Sequence, residues 1–549
     1  MGGLWSVARQ TFFQIVRTKT AWVFILVLTV LLVALPHNIE GDGTLAGKIR
    51  AFLSYSTTVT AITLSILTLL LAVDVVASDV RRKTVFSVVC KPVARWQYIL
   101  GRWVGIVMLD GLLLVIAAVD IYMVSQDLRG GQWRSPMDRL AVETEVFTAR
   151  ARIKPVSIDE EVARRTRRRI ETFRRGNPDE YERVMGAMIS RYGDEQTGLE
   201  KYRENIARQE RKMMESVGPG GTLTWTFEGL HVEGESLTGT ATVLEPPPGW
   251  ERKDLLRFEA DRALVGRLLY RGPVRIGSIE AIVAHIGDRY FDAAFTLADA
   301  ARPEVARLKP GSTVDILIDP TLQLSFKAKA GAKLPGNLIN NSWHVSTPDG
   351  KLRCYYLNRE DPPNMAITIA VPGRAIRGGK TVARFFNQSP ASITILHDDV
   401  SVLTRVGNFT GNFVRVMILI LCQLMFLAAL GVLAASFLSF PVACVLAFGL
   451  LPFSLARGFL NEALKMPRGG WGDADVITLM GHVALKIMSV PLPDFAKTNR
   501  SDALVDGMAV TWSSLGETVG FVVAIQAAVI LALACLIFTK RELAAVQVA

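Results

Sequence analysis

Cysteine and histidine are scarce in this chain, five and six in 549 residues. Cys422, Cys444 and Cys535 fall in apolar runs, Cys90 in a basic stretch, and Cys354 stands alone in a polar region, so no disulfide framework or zinc spacing emerges. The histidines are scattered, and His397-Asp398-Asp399 reads as a solvated strand end rather than a ligand set. No nucleophile, base or metal constellation stands out, which ranks an enzyme behind other readings. A phosphate-binding loop is missing as well. Gly373–Thr381, GRAIRGGKT, imitates one, but five residues separate Gly373 from Gly379 where the motif has four, and Val382–Phe386 reads as strand where a helix is required. No cofactor is therefore expected in this chain. The net charge of +11 would suit nucleic acid, yet the basic residues lie beside apolar runs or in Arg164–Arg175, where acids are close by. Nucleic acid is not an expected partner.

What is plentiful is apolar sequence. Half of the chain is hydrophobic while 21% is charged, and the two textures are segregated. A membrane span needs about 20 apolar residues. Leu53–Val76, Trp103–Val124, Phe413–Phe437, Pro441–Leu460 and Val519–Phe538 meet that need, and Ala21–Leu35 is a shorter first span extended by its flanks. Within residues 1–20, Trp5, Ala8, Phe12 and Val16 recur at near-helical spacing among Arg9, Arg17 and Lys19, which predicts an interfacial amphipathic helix. The other reading of this segment is the plain start of the first span. A cleaved signal peptide is disfavoured by the long segment before the apolar run and by Leu35-Pro36-His37.

The stretch from Ala77 to Gly105 organises the rest. It joins two apolar runs and carries Arg81, Arg82, Lys83, Lys91, Arg95 and Arg102 against the one acid Asp79. Short loops rich in Lys and Arg stay in the cytoplasm. Val85, Phe86, Val88, Val89, Trp96 and Tyr98 make it too apolar for a freely solvated loop, so it is expected to lie on the membrane interface or on a cytoplasmic partner.

Asp79, Thr84, Cys90-Lys91-Pro92-Val93, Arg95, Tyr98 and Gly101-Arg102 resemble the first cytoplasmic loop of ABC-2-type transporter permeases, with Lys83, Ala94 and Arg102 standing where that family usually has Gly, Ser and Lys. The resemblance covers about residues 4–128 and 413–543. It implies a permease, with export as the expected direction, that pairs with itself or a similar permease and with a separate ABC ATPase subunit, which would carry the ATP and Mg. It implies further that the loop 77–102 couples to that ATPase through Asp79, Arg81, Arg82, Lys83, Thr84, Val85, Phe86, Val89, Pro92, Arg95, Trp96 and Arg102, with Arg81, Arg82, Lys83, Arg95 and Arg102 contacting the ATPase or lipid phosphates and Val85, Phe86, Val89 and Trp96 filling its groove.

In the second span Ser54, Thr58, Ala61, Ser65, Thr68 and Ala72 share one helical face. Ser54, Thr58, Ser65 and Thr68, together with Asp110 of the third span, are candidates for the wall of a translocation path, with close helix packing as the alternative. Three crossings from a cytoplasmic start put residues 125–410 outside. Residues 125–221 read as a strand and three helices, starting at Ser157–Glu160, Asn177–Glu180 and about Glu195, and 222–410 as a jelly-roll-like β-sandwich of short alternating strands. Residues 411–549 return to the membrane as spans four to six, with an outer amphipathic segment at 461–518.

The expected fold is thus an α-helical polytopic membrane protein of six transmembrane helices in the cytoplasmic membrane, both termini inside, with an inserted extracytoplasmic α+β domain. The rival reading is a membrane-anchored extracytoplasmic binding or sensor protein whose β-sandwich is the working part.

Overall fold

The computed structural model describes residues 2–17, 19–39, 44–81, 94–131, 141–231, 237–245, 255–265, 268, 273–277, 279–287, 289–295, 308–318, 321–463, 493–495 and 500–540. The chain divides into two compact units: Met1–Arg134 with Ala141–Ala149 and Gly407–Ala549, and Ser135–Leu140 with Arg150–Val406.

The first unit is helical. It begins with α1 (Gly2–Val16), α2 (Lys19–Asn38), α3 (Leu45–Arg81) and α4 (Arg95–Arg129). The second unit contributes α5 (Asp159–Gly176), α6 (Pro178–Tyr192) and α7 (Glu195–Met214). The first then resumes with α8 (Phe409–Phe437), α9 (Phe440–Ala463) and α10 (Trp512–Lys540), the last containing a π-helical stretch at Val519–Ala527. Among the described residues five helices, α3, α4, α8, α9 and α10, are long and apolar enough to cross a membrane. The apolar part of α2, Trp22–Pro36, is shorter.

At 37 residues, α3 is about 55 Å long, well beyond the roughly 30 Å of hydrocarbon in a bilayer. Several of its hydroxyls bond back to their own helix, Thr57 Oγ1 to Leu53 O at 2.7 Å and Ser65 Oγ to Ala61 O at 2.6 Å, which satisfies those donors in an apolar environment. Helix α8 is the centre of the bundle: 78% of its apolar window is buried, against 22% for α9. Gly431 lets it close on α3, since a Cβ there would stand 2.6 Å from Ala72 Cβ. Asn408 caps its start by accepting from Gly411 N at 3.0 Å.

Both long helices reach further than hydrophobicity alone suggests. α3 runs on to Arg81 and α4 starts at Arg95, so Asp79, Arg95, Trp96 and Arg102 are helical rather than parts of a loop. The helix at the start of the chain is present, but it packs along α4 with Val7, Ala8, Thr11 and Ile15 buried.

In the second unit the three helices fall where the sequence puts them. Pro178 occupies the first turn of α6, and Asp194 caps α7 by accepting from Thr197 N at 2.7 Å. Ahead of α5, Ser157 Oγ accepts from Asp159 N at 3.1 Å, and the residue at the helix cap, Ile158, offers no side-chain hydrogen bond.

Among the described residues the chain also forms seventeen strands, which interleave with these helices. β1 (Thr148–Ile153), β17 (Ser401–Asn408), β10 (Thr321–Lys327) and β14 (Ala366–Pro372) form one four-stranded sheet in that order. β13 (Arg353–Asp361), β12 (Ile339–Ser346), β15 (Thr381–Asn387) and β3 (Thr222–Phe227) form another. Their inner residues share one core, in which the fully buried Trp343 meets Phe326 at 4.5 Å and Phe385 at 5.3 Å between ring centroids. Short β2 (Ser216–Val217), β11 (Lys329–Ala330) and β16 (Ile393–Thr394) make a third, three-stranded sheet.

The expectation of a single sandwich over 222–410 is corrected here. β4 (Leu237–Leu244), β5 (Leu255–Ala260), β8 (Tyr290–Ala294), β7 (Ile279–Ile286), β6 (Pro273–Ile276) and β9 (Thr313–Ile318) close into a six-stranded barrel with its own core around stacked Phe258 and Phe291. Closure comes from β4 pairing with β9, Leu237 opposite Ile318. A barrel and a sandwich impose the same inside–outside alternation on each strand, so periodicity does not separate them. The decoy GRAIRGGKT leads from a short 3₁₀ turn at Gly373–Ala375 straight into β15, with no helix to receive a phosphate.

Candidate functional site

Two polar clusters lie inside the helical unit. The first is at the end of the bundle where α3 stops and α4 starts. Asp79 on α3 is buried, and its Oδ2 accepts from Tyr98 Oη at 2.5 Å and from Arg102 Nη2, both on α4. Arg102 Nη1 donates to Thr11 Oγ1 at 3.0 Å and Gln14 Oε1 at 2.9 Å, both on α1. The Tyr98 ring stacks on Phe538 of α10 at 5.4 Å, and Arg95 Nη1 donates to Thr539 O at 2.7 Å. The ion pair thus ties α1, α3 and α4 together, and its neighbours Tyr98 and Arg95 add α10.

Glycine makes that contact feasible. A Cβ on Gly101 would stand 2.7 Å from Val7 Cβ, and one on Gly105 would stand 2.5 Å from Thr11 Cβ. Gly101 and Gly105, four residues apart on one face of α4, admit α1 at close range, as small residues do between membrane helices.

The expectation that Asp79 and Arg102 face a partner does not match their placement. Their side chains are 8% and 4% exposed and neutralise one another, because α4 begins early enough to carry Arg102 two turns into the bundle. Outward-facing at this end are Arg81, which lies 5.3 Å from the Phe440 ring centroid, and Trp96, which is 49% exposed; Arg95 is half-buried. Arg82, Lys83, Thr84, Val85, Phe86, Val89 and Pro92 lie outside the described residues.

The second cluster sits near the middle of α4 and α8. Thr68 Oγ1 on α3 donates to Asp110 Oδ1 on α4 at 3.0 Å, and Gln423 Nε2 on α8 donates to Ser65 Oγ at 3.1 Å. All four side chains are buried, and Asp110 Oδ2 and Gln423 Oε1 have no hydrogen-bond partner among the described residues. Ser65 and Thr68 are three residues apart, so the two hydrogen bonds are adjacent on α3. Polar groups at this depth are expensive in hydrocarbon and face protein or water. Of the predicted hydroxyl row, Ser65 and Thr68 join Asp110, whereas Ser54 is half-buried and Thr58 exposed. The face is continuous; what differs is burial, since Ala61, Ser65, Thr68 and Ala72 are covered while Ser54 and Thr58 at its start are not.

Sequence reasoning missed Gln423, Thr11 and Gln14. Gln423 had a signal, being the one amide inside the apolar run 413–437. Beside this cluster an apolar groove of about 570 Å³ runs between α4 and α8, lined by Leu114, Ala118, Tyr122, Phe413, Met417 and Leu421. Among the described residues no group of three or more His, Cys, Asp or Glu could hold a metal ion. Compared with known proteins, the chain matches no family model, no curated protein and no solved structure.

Proposed function

We propose that this chain is the membrane-spanning permease subunit of an ATP-driven transporter of the ABC-2 type, working as an exporter. The observation that carries the reading is the clamp at both ends of the segment 82–93. Asp79 on one side and Tyr98 and Arg102 on the other are locked together and to α1 and α10. A pull on a segment so anchored moves four helices at once, as coupling to an external motor requires. Arg81, Arg95 and Trp96 supply cationic and aromatic surface beside its ends.

In this reading α2 is a sixth, short span, both termini and the segment 82–93 are cytoplasmic, and the second unit is extracytoplasmic, its two four-stranded sheets packed as a sandwich. The protein is no enzyme. ATP and Mg belong to a separate ABC ATPase chain, and a second copy or a similar permease completes the path. Ser65, Thr68, Asp110 and Gln423 provide polar groups midway along it, and the neighbouring apolar groove suits the apolar part of a cargo.

Affinity purification of the tagged chain in mild detergent tests the proposal. A stoichiometric ATPase subunit is expected, lost when 82–93 is replaced by a neutral linker. In the purified complex Arg95→Asp and Trp96→Ala should uncouple ATP hydrolysis from transport while the fold is retained. Recovery of an intact oligomer with no ATPase would overturn the reading in favour of a membrane-anchored binding protein.

A further inference from the structure

The Arg-rich helix α5 has no role in the transport reading. Arg165, Arg168 and Thr172 follow one another at three- and four-residue steps, and Arg169 and Phe173 lie beside them, so they form one face of the helix. On α7 the sequence places Tyr202, Ile206 and Glu210 at four-residue steps. These two stripes face each other across a cleft of about 770 Å³, within the size range of ligand pockets.

The cleft is asymmetric in chemistry. Its floor is apolar, made by Ile170, Phe173, Tyr202 and Ile206, and it is backed by Tyr181, whose ring meets Phe173 at 6.4 Å and Tyr202 at 6.1 Å. Its rim is cationic. Arg169 is engaged by Glu210 at 2.7 Å and Arg165 by Glu161 at 2.8 Å. Arg168, exposed on the same rim, has no acidic partner among the described residues. An apolar floor below an unneutralised guanidinium is complementary to a molecule with an apolar body and an anionic head. Guanidinium offers planar paired donors to phosphate or carboxylate, and such charge-assisted bonds are the strong ones.

We propose that the cleft between α5 and α7 binds a single anionic lipid, its acidic head group on Arg168 and its apolar portion on Phe173, Tyr202 and Ile206. The site stands whether or not the bundle transports anything, because all of its residues belong to the second unit.

The test uses the full-length chain in nanodiscs of zwitterionic lipid and counts bound dihexanoyl phosphatidate by native mass spectrometry. One adduct per chain is expected. Arg168→Glu should weaken it at least tenfold, and Arg168→Lys should restore part of the loss. Ile206→Trp should fill the cleft and abolish binding; Thr172→Trp does the same from the exposed wall should the first variant fail to fold. Equal affinity in wild type and Arg168→Glu would overturn the proposal. So would equal binding of dihexanoyl phosphatidylcholine, which would make the head-group charge irrelevant. Binding of inorganic phosphate as tight as that of the lipid would overturn it too, leaving an anion site with no use for the apolar floor.

Discussion

Arg102 and Asp79 form an ion pair at the end of the helical bundle, 23 residues apart in sequence and on different helices. Each is almost fully buried, so removing Asp79 takes the counter-charge from the Arg102 guanidinium, and removing Arg102 takes from Asp79 its ion-pair partner on α4; breaking a buried pair in this way costs about 3–5 kcal/mol. Arg102→Met alone and Asp79→Leu alone should each destabilise strongly. The double variant should be markedly more stable than the sum of the two losses implies. A double-mutant cycle on unfolding in detergent measures this, and additive losses would show that the pair is not coupled.

Gly105 faces Thr11 and Ala8 so closely that a Cβ would stand 2.5 Å from Thr11 Cβ and 2.7 Å from Ala8 O. Gly105→Leu should therefore push α1 off α4, at the 1–3 kcal/mol typical of overpacking. Gly111, on the same helix with nothing within 4 Å of its would-be Cβ, is the control, and Gly111→Leu should fold normally. Labelling of a cysteine at Ala8 by a water-soluble maleimide reads the displacement: fast in the Gly105 variant, slow in the control.

These two relationships show what the sequence makes legible. Apolar runs announce the long helices, and the one-sided charge of 77–102 marks the segment around which they turn. Hydrophobicity ends a span where the lipid ends, whereas α3 and α4 continue past it because helical hydrogen bonding continues. That difference moves Arg102 from an apparent loop into the bundle. Ion pairing between Asp79 and Arg102 is a matter of which helix faces which, and no single periodicity encodes it. The barrel was hidden for the same reason, since Leu237 and Ile318 meet only once the chain between them has folded. The start of α6, by contrast, follows from a local signal, Pro178 after Asn177, and α7 begins where the sequence reading places it, with Asp194 as its cap.

Asp110 accepts one hydrogen bond at Oδ1 while Oδ2 has none among the described residues. Asn in its place keeps the shape and an oxygen for Thr68 but carries no ionisable group, so Asp110→Asn should be about as stable as the parent. Gln423→Leu loses the bond to Ser65, worth about 0.6 kcal/mol on average for interhelical hydrogen bonds in a membrane. Unfolding in graded denaturant checks both. A stable Asp110→Asn protein with impaired transport would assign the carboxyl to the path, and unimpaired transport would assign it to packing.

At the start of α7 the Asp194 carboxylate accepts from Thr197 Oγ1 at 2.5 Å and from Thr197 N at 2.7 Å, and these bonds hold its pKa below the usual value. A carboxyl depressed on folding stabilises fully above its unfolded pKa, about 3.9 for Asp. That stabilisation fades as pH falls through the folded value. Protection of the Thr197 amide against hydrogen exchange, corrected for intrinsic rate, should therefore be constant from pH 7 to about 5 and fall below about 4. Asp194→Asn supplies an equally good cap without a titrating proton. Its protection should lie close to the parent's at neutral pH and show no acid decline from this site. A decline of the same size in both proteins would mean that the acid sensitivity of α7 arises elsewhere, for example at Glu204, whose carboxyl is held low by Lys201.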